Sequence, residues 1–294
     1  MKGIAWAFVA AWPVLAFAQE RPYEVAVLAE GLEHPWSVAF LPDGEMLVTE
    51  RPGRLRVIDA GGLRPEPVAG LPPVFVSGQA GLFDVLAAED YAESRVLYLS
   101  YAHGDAQANH TRVIRARFDG SALQDVTPVF TSQPAKRGDA HFGGRMAWMP
   151  DGTLVFGLGD GFYFRETAQQ LDTHLAKTIR INADGSVPED NPFVRQPDAR
   201  PEIYSFGHRH VQALAIDRNR GLVYAHEHGP RGGDELNVLE PGRNYGWPLI
   251  SLGRDYSRSM ITPFRELPGM EQPRLHWTPS IAPAGMTLYD GEAV

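Results

Sequence analysis

Cysteine is absent from this chain of 294 residues. The protein therefore cannot form a disulfide, and its stability must come from core burial and from any bound ions. An excess of basic residues is absent too, because 27 Lys and Arg stand against 36 Asp and Glu, a formal net charge of -9. Without a basic stripe along the chain, nucleic acid is not expected as a partner.

Long hydrophobic runs are absent after the first 18 residues. Residues 1–18 combine Lys2, an almost wholly apolar stretch and a small-x-small cleavage pattern at Ala16-Phe17-Ala18. This predicts a signal peptide over 1–18 and a periplasmic or secreted mature protein. A retained signal anchor is the alternative, but the apolar run is short for a span and no stop-transfer charges follow it. No integral membrane span is expected after cleavage.

Sustained helical spacing is also missing, apart from one short turn predicted at 167–177. Instead, a unit of strand, turn, strand, turn and strand recurs over residues 35–58, 81–118, 144–181 and 212–239. Outer linking strands are predicted at 74–76 and 129–131, and a fifth unit begins at Pro279. Ordered repeats of roughly 45 residues or more are typical of propeller blades, whereas a β-sandwich would not repeat one strand order.

The sequence thus predicts an all-β, six-bladed type of β-propeller, with about four and a half blades present in one domain over 19–294. A propeller closes its ring by pairing the N-terminal strand with the last blade, and the predicted strand at 24–28 lacks such a partner blade. We therefore expect the domain to be incomplete at its C-terminus, by on the order of 70 residues.

A histidine and an aspartate flank the hairpin predicted in the third unit. His141 precedes a strand at 146–149, Asp151-Gly152 forms the turn, and Asp160 follows the returning strand at 153–158. Pairing of these strands would bring His141 and Asp160 together at one end of the sheet. They could act as a base and its orienting partner, or simply form a hydrogen bond at the rim of the fold.

Other polar residues fall in loops that should meet at the mouth of the propeller channel. Gln79 and Asp139 precede inner strands, as does the segment containing Arg209, His210 and Gln212. Such a set suits an anionic, planar or sugar-like ligand.

Five short motifs follow one another along the chain. They are His141-Phe142-Gly143-Gly144-Arg145; Gly159-Asp160-Gly161; Gly207-His208-Arg209 with Gln212; His228-Gly229-Pro230 with Asp234-Glu235-Leu236-Asn237; and Gly242-Arg243-Asn244-Tyr245-Gly246-Trp247-Pro248. Together they resemble the soluble, pyrroloquinoline-quinone-dependent aldose dehydrogenases of the glucose and sorbosone type, which are six-bladed propellers of the bacterial periplasm. The resemblance covers nearly the whole chain after the predicted signal peptide.

The resemblance implies that the C1 hydroxyl of an aldose is oxidised to a lactone, with hydride transfer to the quinone. In this role His141 would be the general base, Asp160 would orient its ring, and Arg209 would stabilise charge on the quinone oxygen. His210 and Gln212 would join Arg209 at the cofactor.

The resemblance also implies sugar contacts and calcium. Gln79 and Asp139 would contact the sugar. One Ca²⁺ would be held by the backbone carbonyls of Gly229 and Pro230 and by the cofactor. A second, structural Ca²⁺ would be held by Asp234, Glu235 and the carbonyl of Tyr245. The preferred aldose and the electron acceptor stay open.

The chain departs from the family pattern in three places. His210-Val211 stands where the family has Asn-Pro, and Ala140 separates Asp139 from His141. The Lys and Arg residues that hold the cofactor carboxylates in the family belong to blades five and six, beyond the four and a half blades that the repeats predict.

Three other functions fit parts of the pattern. Alternating histidines, His208 with His210 and His226 with His228, could chelate zinc or copper. A calcium-dependent lactonase would use the same fold without a quinone. A binding propeller would keep the fold and lack the chemistry.

Overall fold

The computed structural model describes residues 25–289 and residue 291. The predicted signal peptide, residues 1–18, lies outside the described residues, as does Glu24 of the predicted first strand. Residues 25–28 are described and form no strand.

The described chain contains sixteen strands in four antiparallel sheets, and each sheet keeps its strands in chain order. The first sheet comprises β1 (Pro35–Phe40), β2 (Met46–Glu50), β3 (Arg54–Asp59) and β4 (Gly62–Leu63). The second comprises β5 (Leu82–Ala87), β6 (Val96–Gly104), β7 (Asn109–Phe118) and β8 (Leu123–Thr131). The third comprises β9 (Gly143–Trp148), β10 (Leu154–Leu158), β11 (Lys177–Ile181) and β12 (Ile203–Phe206). The fourth comprises β13 (Val211–Asp217), β14 (Leu222–Glu227), β15 (Asp234–Leu239) and β16 (Leu275–Trp277).

The core lies between neighbouring sheets. Leu47 of the first sheet and Leu99 of the second share one buried cluster, and Val155 of the third and Val211 of the fourth share another. Between the second and third sheets, Tyr98 and Trp148 pack edge to face with ring centroids 5.1 Å apart. The first strand of each sheet contacts the first strand of the next, so these strands are innermost. This arrangement confirms the predicted propeller class, with four blades formed.

The predicted hairpin of the third blade is confirmed. β9 and β10 pair so that Trp148 lies opposite Leu154 and Met146 opposite Phe156. Asp151 caps the turn, because its Oδ1 accepts hydrogen bonds from the backbone N–H and the hydroxyl of Thr153, at 3.0 and 2.6 Å. The outer strand predicted at 129–131 is also confirmed as the end of β8.

Two further strand predictions are wrong. Residues 74–76 form no strand, and the first sheet ends instead with the short β4. Pro72 and Pro73 offer no N–H, and the following segment is held by Phe75 N–H donating to Ala102 O, 2.9 Å away. The expected opening strand of a fifth blade is not formed over 279–289. Pro279 and Pro283 interrupt its hydrogen-bonding groups.

The helices of the described residues are short. A single α-helical turn, α1, covers Tyr91–Ser94, and a 3-10 helix at Arg165–Gln169 overlaps the turn predicted at 167–177. In the described part of the chain, no helix is long and apolar enough to cross a membrane.

Candidate active site

His141 and Asp160 meet at one end of the third blade, as the hairpin predicted. His141 Nδ1 lies 2.6 Å from Asp160 Oδ1, and both side chains are buried. The backbone of His141 has a φ of 52°, a left-handed conformation that a non-glycine residue adopts at a cost. Its backbone N–H donates to Gln79 Oε1 at 2.8 Å, and this bond helps to hold the conformation.

Two glycines allow the backbone around this pair to close. A Cβ on Gly159 would lie 2.2 Å from the carbonyl oxygen of His141. A Cβ on Gly143, where φ is +73°, would lie 2.3 Å from the carbonyl oxygen of Gly157. Only glycine is compatible with such close contacts between the ends of β9 and β10.

The Asp160 carboxylate is held by three hydrogen-bond donors. Besides His141, its Oδ1 accepts the backbone N–H of Phe162 at 2.8 Å, and its Oδ2 accepts the Trp247 indole N–H at 2.9 Å. An ionised carboxylate only accepts hydrogen bonds, so Nδ1 of His141 carries the proton and Nε2 is the ring nitrogen left to act as a base.

Burial is the main influence on the ionisation of His141. It lowers the pKa of the imidazole below its usual value; Asp160 opposes this shift, and the nearby Arg209 and His228 reinforce it. The ring is therefore neutral at pH 7, as a general base must be.

Arg209 is held in place by acceptors at both of its ends. Its backbone N–H donates to Glu227 Oε2 at 2.5 Å. Its Nη1 donates to the carbonyl oxygens of His228 and Gly229 at 2.9 and 2.8 Å, and its Nη2 lies 3.3 Å from the Tyr256 hydroxyl. Its backbone carbonyl also accepts the Asp160 N–H at 2.9 Å, so the segments carrying the two residues are directly joined.

His141 and Arg209 border one cavity of about 430 Å³, which we call the His141 cavity. Its walls include the aromatic rings of Phe162, Trp247 and Tyr256. The Arg209 guanidinium carbon lies 5.6 and 5.9 Å from the ring centroids of Trp247 and Tyr256. Flat apolar walls combined with one cation and one base suit a planar or ring-shaped ligand that carries negative charge.

Three further residues predicted to contact cofactor or sugar do not line the His141 cavity. Gln79, His210 and Gln212 line a separate cavity of about 420 Å³, the Gln79 cavity. The His210 ring stacks on His141 with centroids 4.4 Å apart. Burial lowers the pKa of His210 well below its usual value, so its Nε2 can accept a hydrogen bond from the Gln212 amide 2.7 Å away.

Asp139 packs beside Gln79. Its backbone carbonyl accepts the Gln79 N–H at 2.9 Å, and its carboxylate accepts the Ser77 hydroxyl at 2.8 Å. Ala140, which separates Asp139 from His141, therefore does not prevent the two predicted sugar-contacting residues from being neighbours.

The predicted calcium residues fall into two groups with different surroundings. Asp234 is completely buried and accepts four hydrogen bonds of 2.8 to 2.9 Å. The donors are the Gly229, Ile281 and Ala282 backbones and the Ser280 hydroxyl. Its carboxylate thus fastens the segment after β16 and has its lone pairs in use.

Glu235 instead borders a cavity of about 20 Å³, which we call the Glu235 cavity, together with Glu227, Pro230, Gly229 and Tyr245. A space of this size holds about one water or ion. Burial raises the pKa of Glu235 to about 8, and the carboxylate of Glu227 adds to the shift. The nearby Asn237 Nδ2 lies 3.2 and 3.3 Å from the carboxylates of Glu235 and Glu227, while its Oδ1 is buried without a hydrogen-bond partner.

The histidine pairs do not assemble into a transition-metal site. His208 is hydrogen-bonded to Ser205 and Glu227, at 2.8 and 2.9 Å, while His210 stacks on His141. Residues 25–289 contain no cluster of three or more His, Cys, Asp or Glu side chains arranged to hold a metal. A cation in this part of the chain would have to use backbone carbonyls as well.

Sequence reasoning did not assign roles to Glu227, Trp247 and Tyr256. Trp247 belongs to the last of the five motifs. A buried indole N–H needs a hydrogen-bond acceptor, and this need is the one signal in the sequence that could have linked Trp247 to a carboxylate. Glu227 ends a strand and binds both His208 and the Arg209 backbone, but nothing local marks it.

The fold and this site define a propeller with a buried base, its carboxylate partner and an adjacent cation. The chain belongs to the glucose/sorbosone dehydrogenase family, whose model matches residues 32–294. The family assignment from the motifs is thereby confirmed, and the protein is of the sugar-dehydrogenase class of oxidoreductases.

Individual relatives agree with this assignment. The chain is 41% identical over 282 residues to the aldose sugar dehydrogenase YliI of Escherichia coli K12, covering 94% of this chain and 76% of that protein. It superposes on a glucose dehydrogenase crystal structure with a TM-score of 0.88 and 45% identity, covering 91% of this chain and 79% of the other. It also matches the PQQ-bound aldose sugar dehydrogenase of Streptomyces coelicolor with a TM-score of 0.75 and 31% identity, covering 90% and 74%.

Proposed function

We propose that this protein oxidises the C1 hydroxyl of an aldose to the lactone, with pyrroloquinoline quinone as the hydride acceptor. The observation that carries the proposal is the buried His141–Asp160 pair, joined at 2.6 Å, beside the guanidinium of Arg209 in one cavity. The family membership and the PQQ-bound relative support the same chemistry.

The residues of the His141 cavity fit such a cofactor. Its aromatic rings can face a flat heterocycle, and the buried Arg209 offers a positive charge beside them. When bound, the quinone supplies an electrophilic centre that accepts a hydride. Arg209 would hold and polarise its oxygen, with His210 and Gln212 contributing from the Gln79 cavity.

His141 acts as the general base in this proposal. Its Nε2 takes the proton of the C1 hydroxyl, and the positive charge that develops on the ring is stabilised by Asp160. Arg209 would stabilise the negative charge that develops on the quinone oxygen, in the manner of an oxyanion hole. Because Arg209 is already fixed by two carbonyls, little reorganisation is needed during the reaction.

The sugar would be positioned by Gln79 and Asp139. Gln79 uses its Oε1 to hold the His141 backbone, and its Nε2 is not engaged by any residue of 25–289. A sugar hydroxyl could accept from that amide. We infer periplasmic or secreted location from the predicted signal peptide.

Two cations complete the proposal. Carbonyl oxygens of Gly229 and Pro230 would hold a Ca²⁺ beside the cofactor, and the Gly229 oxygen already accepts a bond from Arg209 on one side. A second Ca²⁺ would occupy the Glu235 cavity, where Glu235 and the Tyr245 carbonyl offer oxygen donors, and it would displace the proton that the raised pKa of Glu235 favours. Asp234, with its four donors, would support that site from outside.

Replacing His141 by Gln tests the assignment. We expect quinone-dependent reduction of a dye by aldose to fall by about 10²- to 10⁴-fold, the contribution typical of a general base. Quinone binding, followed by absorbance titration, should be largely retained. Undiminished turnover would contradict the role of His141. Lactone hydrolysis that needs only calcium would instead indicate a lactonase, and quinone-independent sugar binding without turnover would indicate a binding protein.

A further inference from the structure

Three arginines line a cavity of about 940 Å³, which we call the arginine cavity. They are Arg231, Arg254 and Arg258, and the remaining wall is formed by Pro230, Gly232 and residues 278–280. No acidic side chain is among the residues that line it. The cavity is therefore strongly cationic, although the whole chain carries a net charge of -9.

The backbone fixes two of these arginines side by side. Arg231 N–H donates to Arg254 O at 2.9 Å, and Arg254 N–H donates to Arg231 O at 3.1 Å. Like charges placed opposite one another on paired segments repel. None of the three guanidinium groups forms an ion pair with a residue of 25–289, unlike those of Arg95 and Arg218, which pair with Asp43 and Glu89.

The acidic residue nearest in sequence does not neutralise them. Asp255 accepts hydrogen bonds from the Ser257 backbone and hydroxyl, both at 2.9 Å, and pairs with Arg165 at 3.3 Å. It therefore faces the His141 cavity, which it lines. The positive charge of the arginine cavity is left for a ligand.

The two cavities are adjacent. Pro230 lines both, and Asp255 and Tyr256, which lie between Arg254 and Arg258 in sequence, line the His141 cavity. One short loop, residues 254–258, thus presents Arg254 and Arg258 to the arginine cavity and Asp255 and Tyr256 to the His141 cavity. A ligand held by the arginines would be separated from the proposed quinone position by this single wall.

We infer that Arg231, Arg254 and Arg258 form a docking site for a small anionic electron acceptor. This rests on the proposed function. A neutral aldose has no charge to match three guanidinium groups and must reach His141 on the other side of the wall. Oxidation of C1–OH to a lactone releases two electrons and two protons; the acceptor takes the electrons, and the protons leave to solvent.

Binding is tested without turnover, using hexacyanoferrate(II) as the probe in calorimetric titrations of the full chain. The triple variant Arg231→Gln/Arg254→Gln/Arg258→Gln should lose at least about tenfold in affinity. The triple variant Arg195→Gln/Arg218→Gln/Arg220→Gln has the same charge change at positions elsewhere on the surface and should lose less than about twofold. Equal losses in both variants, or none in either, would overturn the site.

Kinetics test the role of the bound anion. With hexacyanoferrate(III), two equivalents are consumed per sugar, and its KM should rise about tenfold in the first triple variant. The sugar KM, the quinone affinity and the rate with the cationic acceptor N-methylphenazonium should stay unchanged. A matching loss of quinone affinity would assign the arginines to the cofactor and overturn the proposal. Failure of every acceptor to oxidise sugar in the native chain would contradict the proposed function, while the calorimetric result would still decide the anion site.

Discussion

Two carboxylates at the same end of the propeller have opposite electrostatic surroundings. Asp160 receives three donors, from His141, the Phe162 backbone and the Trp247 indole. Glu235 receives only a side-chain amide at 3.2 Å and lies beside a second carboxylate, which together with burial raises its pKa to about 8. The chain therefore satisfies the first carboxylate by itself, whereas the second favours its protonated form in the absence of a cation.

The difference separates two kinds of site. A fully bonded, buried carboxylate orients its histidine and stabilises the charge that a reaction creates there. A buried carboxylate beside a second carboxylate is destabilised by charge repulsion, and binding a proton or a cation relieves that repulsion. The catalytic pair is thus preorganised by the protein alone, whereas the Glu235 cavity is completed by something that it binds.

The largest effect is expected from Asp160→Asn. An amide would present an N–H to His141 or reverse its tautomer, so Nε2 would no longer be the free base. We expect kcat to fall by about 10²- to 10⁴-fold with little change in fold. Because Asp160 raises the pKa of His141, its loss should also move the acid limb of the kcat/KM profile to lower pH.

The position of the acid limb tests the role of Asp160 independently of the size of the rate loss. In the native protein the acid limb should lie below pH 6.5, since burial lowers the pKa of His141. NMR titration of the His141 ring should show the same shift. A limb that stays in place in Asp160→Asn would contradict direct coupling of the two residues.

Glu235→Gln should change stability rather than catalysis alone. In the calcium-free protein, the folded state binds the Glu235 proton more tightly than the unfolded state does. The stability that this proton contributes should therefore be fully present below about pH 4.5 and be lost as pH rises toward about 8, by at most about 1.4 kcal/mol per pH unit. The variant should lack this dependence, as judged by thermal unfolding in the presence of chelator.

The native protein and Glu235→Gln should also differ in their response to calcium. Added Ca²⁺ should raise the Tm of the native protein most at high pH, where Glu235 is ionised, and should stabilise the variant much less. Glu266→Gln, at an exposed glutamate, is the matched control and should behave as the native protein does. Equal stabilisation of all three proteins would argue against a cation at Glu235.

Trp247→Phe should have the smallest effect. It removes the indole donor at 2.9 Å and leaves Asp160 with its other two partners. Loss of one hydrogen bond to a buried charge predicts about a tenfold fall in kcat. Trp148→Phe removes a similar indole bond, to Ala87 O at 2.7 Å in another part of the molecule, and should lower stability without this kinetic effect.

Local pattern accounted for much of the fold and for the heart of the site. Period-two strands and Asp-Gly turns identified the inner three strands of each blade and the hairpin that joins His141 to Asp160. The outer strands were harder. β12 and β16 were not predicted, and residues 74–76 were wrongly assigned, because β12 and β16 are short and the pairing of an outer strand depends on which edge is within reach.

The distribution of site residues between cavities was not predictable from spacing. Gln79, His210 and Gln212 share a cavity that Arg209 does not line, although Arg209 and His210 are adjacent in sequence. Asp234 and Glu235 are likewise adjacent but have separate partners, since successive residues of a strand point to opposite faces.

By itself, the sequence determined the repeated blade, the pairing of His141 with Asp160 and the family, since each depends on neighbours within one hairpin or on motif order. Tertiary structure alone decided which distant groups complete the site. The Trp247 indole comes from 87 positions beyond Asp160, and Glu227 reaches back to the Arg209 backbone. The first contact joins loops of the fourth and third blades, and the second joins two segments of the fourth blade through a side chain. No periodicity of the strands specifies either contact.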